Sequence, residues 1–220
     1  LQERIRPFMM RRLKKEVLSG LPEKREHTMY AAMTPEQRRV YDQLMETLRL
    51  HVGEALRQGA LPRARMQVLS LLLKLRQVCC HPRLFLPDYD GASGKLELLV
   101  ETVHQAVAGK RRMLIFSQFV GMLGLIRKRL NREGVKTLYL DGDTRPQDRQ
   151  LLCDRFNGGE CQVFLISLKA GGTGLNLTGA DMVIHYDPWW NPAAEDQATD
   201  RAHRIGQTRD VDVIKLITQD

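Results

Sequence analysis

The chain has 220 residues, 34 of them basic against 26 acidic, giving a net charge of +8, with 43% hydrophobic and 27% charged residues. That composition fits a soluble globular protein with one sizeable core, or a core plus a small annex. No apolar run approaches the ~20 residues that cross a bilayer, and the arginine-rich N-terminus lacks the apolar stretch and cleavage site of a secretory signal.

Basic side chains gather at Arg4, Arg6, Arg11, Arg12, Lys14 and Lys15. Such a run suits either a polyanion or a solvated helix face. Residues 25–33 are compatible with an extended segment. Thr34-Pro35-Glu36-Gln37 has the form of a capping box with proline in the first turn, and Val40, Leu44 and Leu48 then recur at helical spacing. Gly59 and Pro62 separate this helix from a second over 62–80. Residues 69–73 are apolar almost all round, which predicts burial against other helices. His81-Pro82 ends that helix.

The four cysteines (Cys79, Cys80, Cys153, Cys161) form no CxxC pair and lack histidines at zinc spacing. They are expected to be small buried hydrophobes in a reducing, intracellular compartment, with no metal bound.

After the turn-rich stretch 87–91 the rhythm changes. Strands are predicted at 113–116, 137–140, 163–166, 182–185 and 211–217. Helices fall between several of them, at 121–131 and 146–156 for instance. Thr144 and Gln147 form a second candidate capping box, and Gly158-Gly159 closes that helix. Alternation of this kind predicts an α/β fold with a parallel sheet covered on both faces and ligands at the carboxyl ends of the strands.

Two stretches carry chemistry. Ser167-Leu168-Lys169-Ala170-Gly171-Gly172-Thr173-Gly174-Leu175-Asn176-Leu177-Thr178 directly follows a predicted strand. Its glycines let the backbone approach a phosphate or ribose, while Lys169, Ser167 and Thr173 offer charge and hydroxyls. A tight turn without a ligand fits the same spacing. Further on, Asn191 and Pro192 cap a helix expected to run to Gly206. On it Gln197, Asp200, Arg201 and Arg204 would share one face. Two arginines in a last turn make a fork suited to polyphosphate, with an Asp200–Arg204 surface pair as the alternative. Trp189 and Trp190 are suited either to stacking beside a DNA groove or to packing the lobe. Ser93-Gly94-Lys95-Leu96 looks like the tail of a phosphate loop, but Tyr89 stands where that pattern needs a glycine and Leu96 where it needs Ser or Thr. No other stretch supplies a Walker A loop or a DExH-type acidic box.

Taken together, 167–180, Asp187-Pro188-Trp189-Trp190-Asn191-Pro192 and 197–207 resemble motifs V and VI of superfamily 2 helicases in their Swi/Snf form. Leu114-Ile115-Phe116-Ser117-Gln118-Phe119 is similar to motif IV, and 140–144 to the segment after it. Upstream, 7–12, 21–24 and Leu75-Arg76-Gln77-Val78-Cys79-Cys80-His81-Pro82 also match. The resemblance covers nearly the whole chain.

It implies a RecA-like parallel sheet with flanking helices over 91–220, preceded by a helical protrusion at 34–90 and, at 1–33, a linker from a first lobe outside the chain. It further implies that ATP with Mg²⁺ is held between two lobes and by neither alone. Arg201 and Arg204 would be arginine fingers, Gln197 and Asp200 would orient them, and Gly172 and Gly174 would line the nucleotide. Ser117, Gln118, Lys169, Thr173, Trp189 and Trp190 would face DNA. The implied partners are double-stranded DNA, the first lobe of the same polypeptide and a nucleoprotein (nucleosome or RNA polymerase), with no membrane. The implied setting is cytoplasmic in a prokaryote and nuclear in a eukaryote, and a brace segment is expected beyond Asp220. Other readings are an RNA-directed ATPase of the same superfamily, a docking module that has lost catalysis, and a DNA-binding module working through the basic N-terminus.

Overall fold

The computed structural model describes residues 21–59, 61–170 and 174–219. The expectations placed on the N-terminal basic run, the motif at 7–12, Gly172 and Thr173 lie outside these residues.

The first element is an extended strand, β1 (Lys24–Ala32). Two long helices follow, α1 (Pro35–Arg57) and α2 (Leu61–Cys80), then a 3-10 turn at Pro82–Leu84. From there the chain alternates: α3 (Gly94–Ala108), β2 (Met113–Ser117), α4 (Val120–Arg132), β3 (Thr137–Leu140), α5 (Pro146–Asn157), β4 (Val163–Ser167), β5 (Met182–His185), α6 (Pro192–Thr199) and β6 (Val211–Gln219). The strands form one parallel sheet in the order β1-β6-β5-β2-β4-β3. β1 lies inside the stretch expected to be a linker, yet it pairs with β6 along its whole length, from Lys24 opposite Val211 to Ala32 opposite Gln219.

The two faces follow from alternation along each strand. Met113 and Ile115 of β2, with Val163, Leu165 and Ile184, pack under α3 and α4. Leu114 and Phe116, with Phe164, Ile166 and Val183, pack against α5, α6 and the chain at 170–180. All of β2, β4 and β5 is buried, as a parallel sheet covered on both sides requires.

The helical hairpin is joined to this core by a buried amide. At the N-cap of α1, Thr34 accepts from Gln37 N and Gln37 Oε1 accepts from Thr34 N, completing the expected capping box. Gln37 is fully buried. Its Nε2 donates to Val78 O at 2.7 Å, and its Oε1 also accepts from Gly94 N at 3.2 Å. One side chain thus ties α1, α2 and α3. The carbonyl of Cys80, at the end of α2, accepts from Ser93 Oγ at 2.7 Å and Tyr186 Oη at 2.8 Å. These bonds satisfy a helix end that would otherwise be orphaned.

Two sequence expectations are corrected. Leu69, Leu72 and Leu73 are exposed to 49%, 37% and 47%, and Met66 also faces solvent. Only one side of α2 packs, against α1 and the lobe, so residues 69–73 are not enclosed by helices. The second capping box does not form. Thr144 Oγ1 is drawn to Asp141, accepting from its backbone N at 3.1 Å, and α5 starts from Arg145 with no side-chain cap.

Candidate nucleotide and nucleic-acid interface

The chain leaves β2 toward β3 and β4 on one side, then crosses to β5 and β6 on the other. Crevices beyond the carboxyl ends at such a switch point are where open α/β sheets hold ligands. The loops after β2, β4 and β5 meet there and are tied together. Leu168 N donates to Ser117 O at 2.9 Å, Tyr186 N to Phe116 O at 3.0 Å, and Gln118 N to Asp187 Oδ2 at 3.1 Å.

Five of the residues expected to face DNA stand on these loops, in different settings. Ser117 is buried, and its hydroxyl accepts from Phe119 N at 3.1 Å, so it shapes the turn into α4 and presents nothing to solvent. Gln118 is half-buried and its Nε2 has no hydrogen-bond partner. Lys169 is exposed. Trp189 is half-buried, whereas Trp190 is 68% exposed, with ring centroids 5.8 Å apart. Beneath them Trp189 N donates to Glu195 Oε1 at 2.5 Å, and the buried Glu195 pairs with Lys215 at 3.1 Å. The tryptophan step is therefore braced from inside the lobe.

Two titratable groups at the end of β5 respond to burial in opposite senses. His185 stacks on Phe116, meets Thr199 Oγ1 at 3.0 Å, and is driven by burial down to about 4. Its neutral form stabilises the fold above the ordinary histidine range, a contribution lost as pH falls toward 4. Asp187 is pushed by burial up to about 6, against hydrogen bonds from Ser117 and Gln118, and its Oδ1 is buried without a partner. The folded chain therefore holds a proton here that the unfolded chain releases, and stability falls as pH rises from the usual carboxylate range through 6. Asp187→Asn keeps an acceptor for Gln118 N and removes the buried charge. It is expected to stabilise the fold at pH 8 by about 2–3 kcal/mol more than at pH 4, measured by urea unfolding at the two pH values. Equal effects at both would show that Asp187 is not held above its usual range.

The arginine segment departs from its expected helical geometry. α6 stops at Thr199 rather than near Gly206. The carbonyls of Arg201 and Ala202 are taken by Leu177 N at 3.0 Å and Gln207 Nε2 at 3.1 Å. With these acceptors engaged outside the helix ladder, the chain folds into tight turns. Ala202 N and His203 N both donate to Thr199 O at 3.0 and 3.1 Å. Gln197, Asp200, Arg201 and Arg204 hence do not share one helical face. Gln197 is exposed, Asp200 half-buried, and Arg204 exposed. His203 Nε2 meets Pro22 O at 2.8 Å, holding the turn against the chain that enters β1.

Arg201 is 8% exposed, and its Nε is buried without a hydrogen-bond partner. Burial, then the nearby Arg204, lowers its pKa. Leu177 N bonds the backbone of Arg201, so the glycine-containing segment ends against this turn, and exposed Gly174 lies just before it. Sequence reasoning gave no role to Gln207. Its Nε2 also donates to Ala180 O at 2.6 Å, and its Oε1 accepts from Thr208 N and Arg209 N. A glutamine directly after the glycine expected to end the helix was the available signal. Among the described residues no three His, Cys, Asp or Glu side chains are placed to hold a metal ion, and no helix is long and apolar enough to cross a membrane.

A parallel six-stranded sheet, with loops meeting at its carboxyl-end switch point and an arginine whose Nε is buried without a partner nearby, defines a lobe of the nucleotide-handling α/β class. The model for the helicase conserved C-terminal domain matches residues 94–206, and that for the SNF2-related domain matches 1–84. The chain belongs to the helicase C-terminal domain family, as the second, RecA-like lobe of a Swi/Snf-type superfamily 2 ATPase. It is 42% identical over 99% of its length to the putative ATP-dependent helicase/translocase YwqA of Bacillus subtilis, covering 24% of that protein. It is 35% identical over its full length to nuclear protein STH1/NPS1 of Saccharomyces cerevisiae, covering 17% of it. The chain thus spans about a quarter or less of these curated relatives. Among solved structures, the C-terminal part of the Fun30 ATPase domain superposes with a TM-score of 0.79 at 28% identity, over 91% of this chain and 87% of that one. The Sulfolobus solfataricus SWI2/SNF2 ATPase core in complex with double-stranded DNA superposes with a TM-score of 0.75 at 36% identity, over 99% of this chain and 46% of that one.

Proposed function

We propose that this chain is the second motor lobe of an ATP-dependent double-stranded DNA translocase, and that it does not hydrolyse ATP without its first lobe. The observation that carries this reading is Arg201, a guanidinium with a buried, unpartnered Nε and a second arginine close enough to oppose its charge. A polyphosphate brought to this turn supplies the acceptors that the lobe itself withholds. ATP with Mg²⁺, held mainly by the opposing lobe, provides the phosphoryl group to be transferred. Arg201 and Arg204 place positive charge against its oxygens. Gln197 and Asp200 orient the turn toward the opposing lobe, and Gly174, with Gly172, lets the backbone approach the nucleotide.

The loops at the carboxyl ends of β2, β4 and β5 carry the DNA-facing role. Lys169 and Trp190 meet the duplex, Thr173 shares that role, and Gln118, Trp189 and the buried Ser117 hold the loops' shape. Lobe closure couples the two sites, because segment 167–177 begins at one and ends at the other. Double-stranded DNA and the first lobe are the direct partners. A nucleoprotein (nucleosome or RNA polymerase) is the wider setting, cytoplasmic in a prokaryote and nuclear in a eukaryote. Residues 34–90 act as a protrusion on the lobe, and the residues ahead of β1 link it to its predecessor, with β1 itself part of the lobe's sheet.

The test compares ATP hydrolysis, with and without duplex DNA, for three proteins: this chain, the chain joined to its first lobe, and the joined protein carrying Arg204→Ala. Turnover is expected only from the joined protein, stimulated by duplex DNA and lost on substitution. Hydrolysis by the chain alone, or an undiminished rate with Arg204→Ala, would overturn the reading.

A further inference from the structure

The helical hairpin reaches back to the DNA-facing loops through one side chain. Arg76, in the penultimate turn of α2, places its guanidinium carbon 4.3 Å from the Trp190 ring centroid and 5.1 Å from that of Trp189. The same group donates to Pro188 O at 3.0 Å and reaches Gln118 Oε1 at 3.5 Å. Its planar fork is thus shared among two indoles, the backbone just before them, and the loop after β2. Arginine is suited to such a position because it stacks and donates in plane at once. Trp190 is 68% exposed, and an exposed indole with no fixed neighbour would sample several rotamers. At its base α2 is fixed by Gln37 Nε2 on Val78 O, only two residues beyond Arg76. The anchor therefore belongs to the hairpin, not to the loop it steadies.

We propose that Arg76 is a positioning residue for DNA engagement: it holds the Trp189–Trp190 pair in one orientation and makes the hairpin part of the DNA-facing surface. The proposal rests on the DNA-facing reading of Trp190 given above. Arg76 itself acts through the indoles, and its removal costs the ordering that a duplex must otherwise impose.

The chain has two tryptophans, both at this site, so fluorescence excited beyond the absorption of its tyrosines reports on this pair of rings. In the 220-residue chain without DNA, Arg76→Ala is expected to change the emission intensity and broaden the distribution of lifetimes, with far-ultraviolet circular dichroism unchanged. Arg76→Lys, which keeps charge and loses the plane, is expected to behave like Arg76→Ala. In the joined two-lobe protein, Arg76→Ala is expected to raise the duplex concentration giving half-maximal ATPase stimulation by about three- to tenfold, and Trp190→Ala by about tenfold or more. The rate at saturating DNA should hold in Arg76→Ala. The double substitution should be no worse than Trp190→Ala alone, since Arg76 works through that ring. Unchanged fluorescence, additive defects, or full activity in Arg76→Lys would each overturn the positioning role. If Trp190→Ala left the DNA dependence untouched, the DNA-facing reading would fail and the proposal with it, even where the fluorescence result showed Arg76 holding the rings.

Discussion

Arg201→Ala in the two-lobe protein is expected to lower kcat by about 10³–10⁵, the range that a transition-state arginine supplies in phosphoryl transfer, while leaving the fold as stable as before or slightly more so. The two halves of this expectation come from one fact. Arg201 is buried, its Nε has no partner, and burial together with Arg204 already works against its charge. Such a group costs the isolated lobe free energy through lost hydration. Truncating it removes that cost along with the function, the trade expected where an active group is held under electrostatic strain. Steady-state ATPase rates at saturating duplex DNA give the first half, and thermal unfolding of the 220-residue chain gives the second. A loss of rate accompanied by a large drop in melting temperature would mark Arg201 as a structural residue. A loss below tenfold with normal stability would mean that its charge never meets the nucleotide.

Most of the sheet was legible in the sequence because its strands are short, apolar and separated by punctuated helices. The predicted strands at 113–116, 137–140, 163–166 and 182–185 match β2 to β5 within a residue. β1 was read only as compatible with an extended segment, since its first half, Lys24, Arg25, Glu26 and His27, is polar and exposed on both faces and shows no alternation. Its pairing is decided by a partner about 190 positions away, which no local pattern encodes. Leu69 to Leu73 misled for a related reason. A helix apolar all round reads as buried, yet α2 stands on a two-helix hairpin and only one of its sides meets α1 and the lobe. The candidate site shows the same division. Residue types at the site were legible through motif spacing, but the helix carrying the arginines was drawn seven residues too long. Its end is set by Leu177 N and the Gln207 amide, bonds that close only once 174–180 has folded beneath it. Arg76 stood inside a recognised motif, but its contacts with Trp190 and Pro188 span more than 110 positions and became visible only in three dimensions.

Gly94→Ala is expected to destabilise the chain by about 3 kcal/mol or more, lowering the melting temperature by about 6–12 °C for a protein of this length. Substituting glycine with alanine in a helix ordinarily stabilises it by up to about 1 kcal/mol. At Gly94 the sign reverses because a β-carbon there would lie 1.8 Å from the carbonyl oxygen of Ala32 and 3.0 Å from its carbon. Both are backbone atoms at the end of β1, so neither yields by a rotamer change. The first turn of α3 would have to move off the strand and take with it the bond from Gly94 N to Gln37 Oε1. Because Gln37 also holds Val78 O, the cost extends to the junction between hairpin and sheet. Gly124, exposed within α4 with nothing within 4 Å of its would-be β-carbon, is the matched control, and Gly124→Ala should raise the melting temperature. Opposite shifts in one calorimetric comparison would identify close approach of α3 to β1 as the reason for glycine in Ser93-Gly94-Lys95. That sequence resembles a phosphate loop, yet the lysine in it is buried, with its ammonium 5.7 Å from the Tyr186 ring centroid. If Gly94→Ala were neutral, α3 would have room to retreat from β1, and the short contact would not be what fixes the hairpin on the lobe.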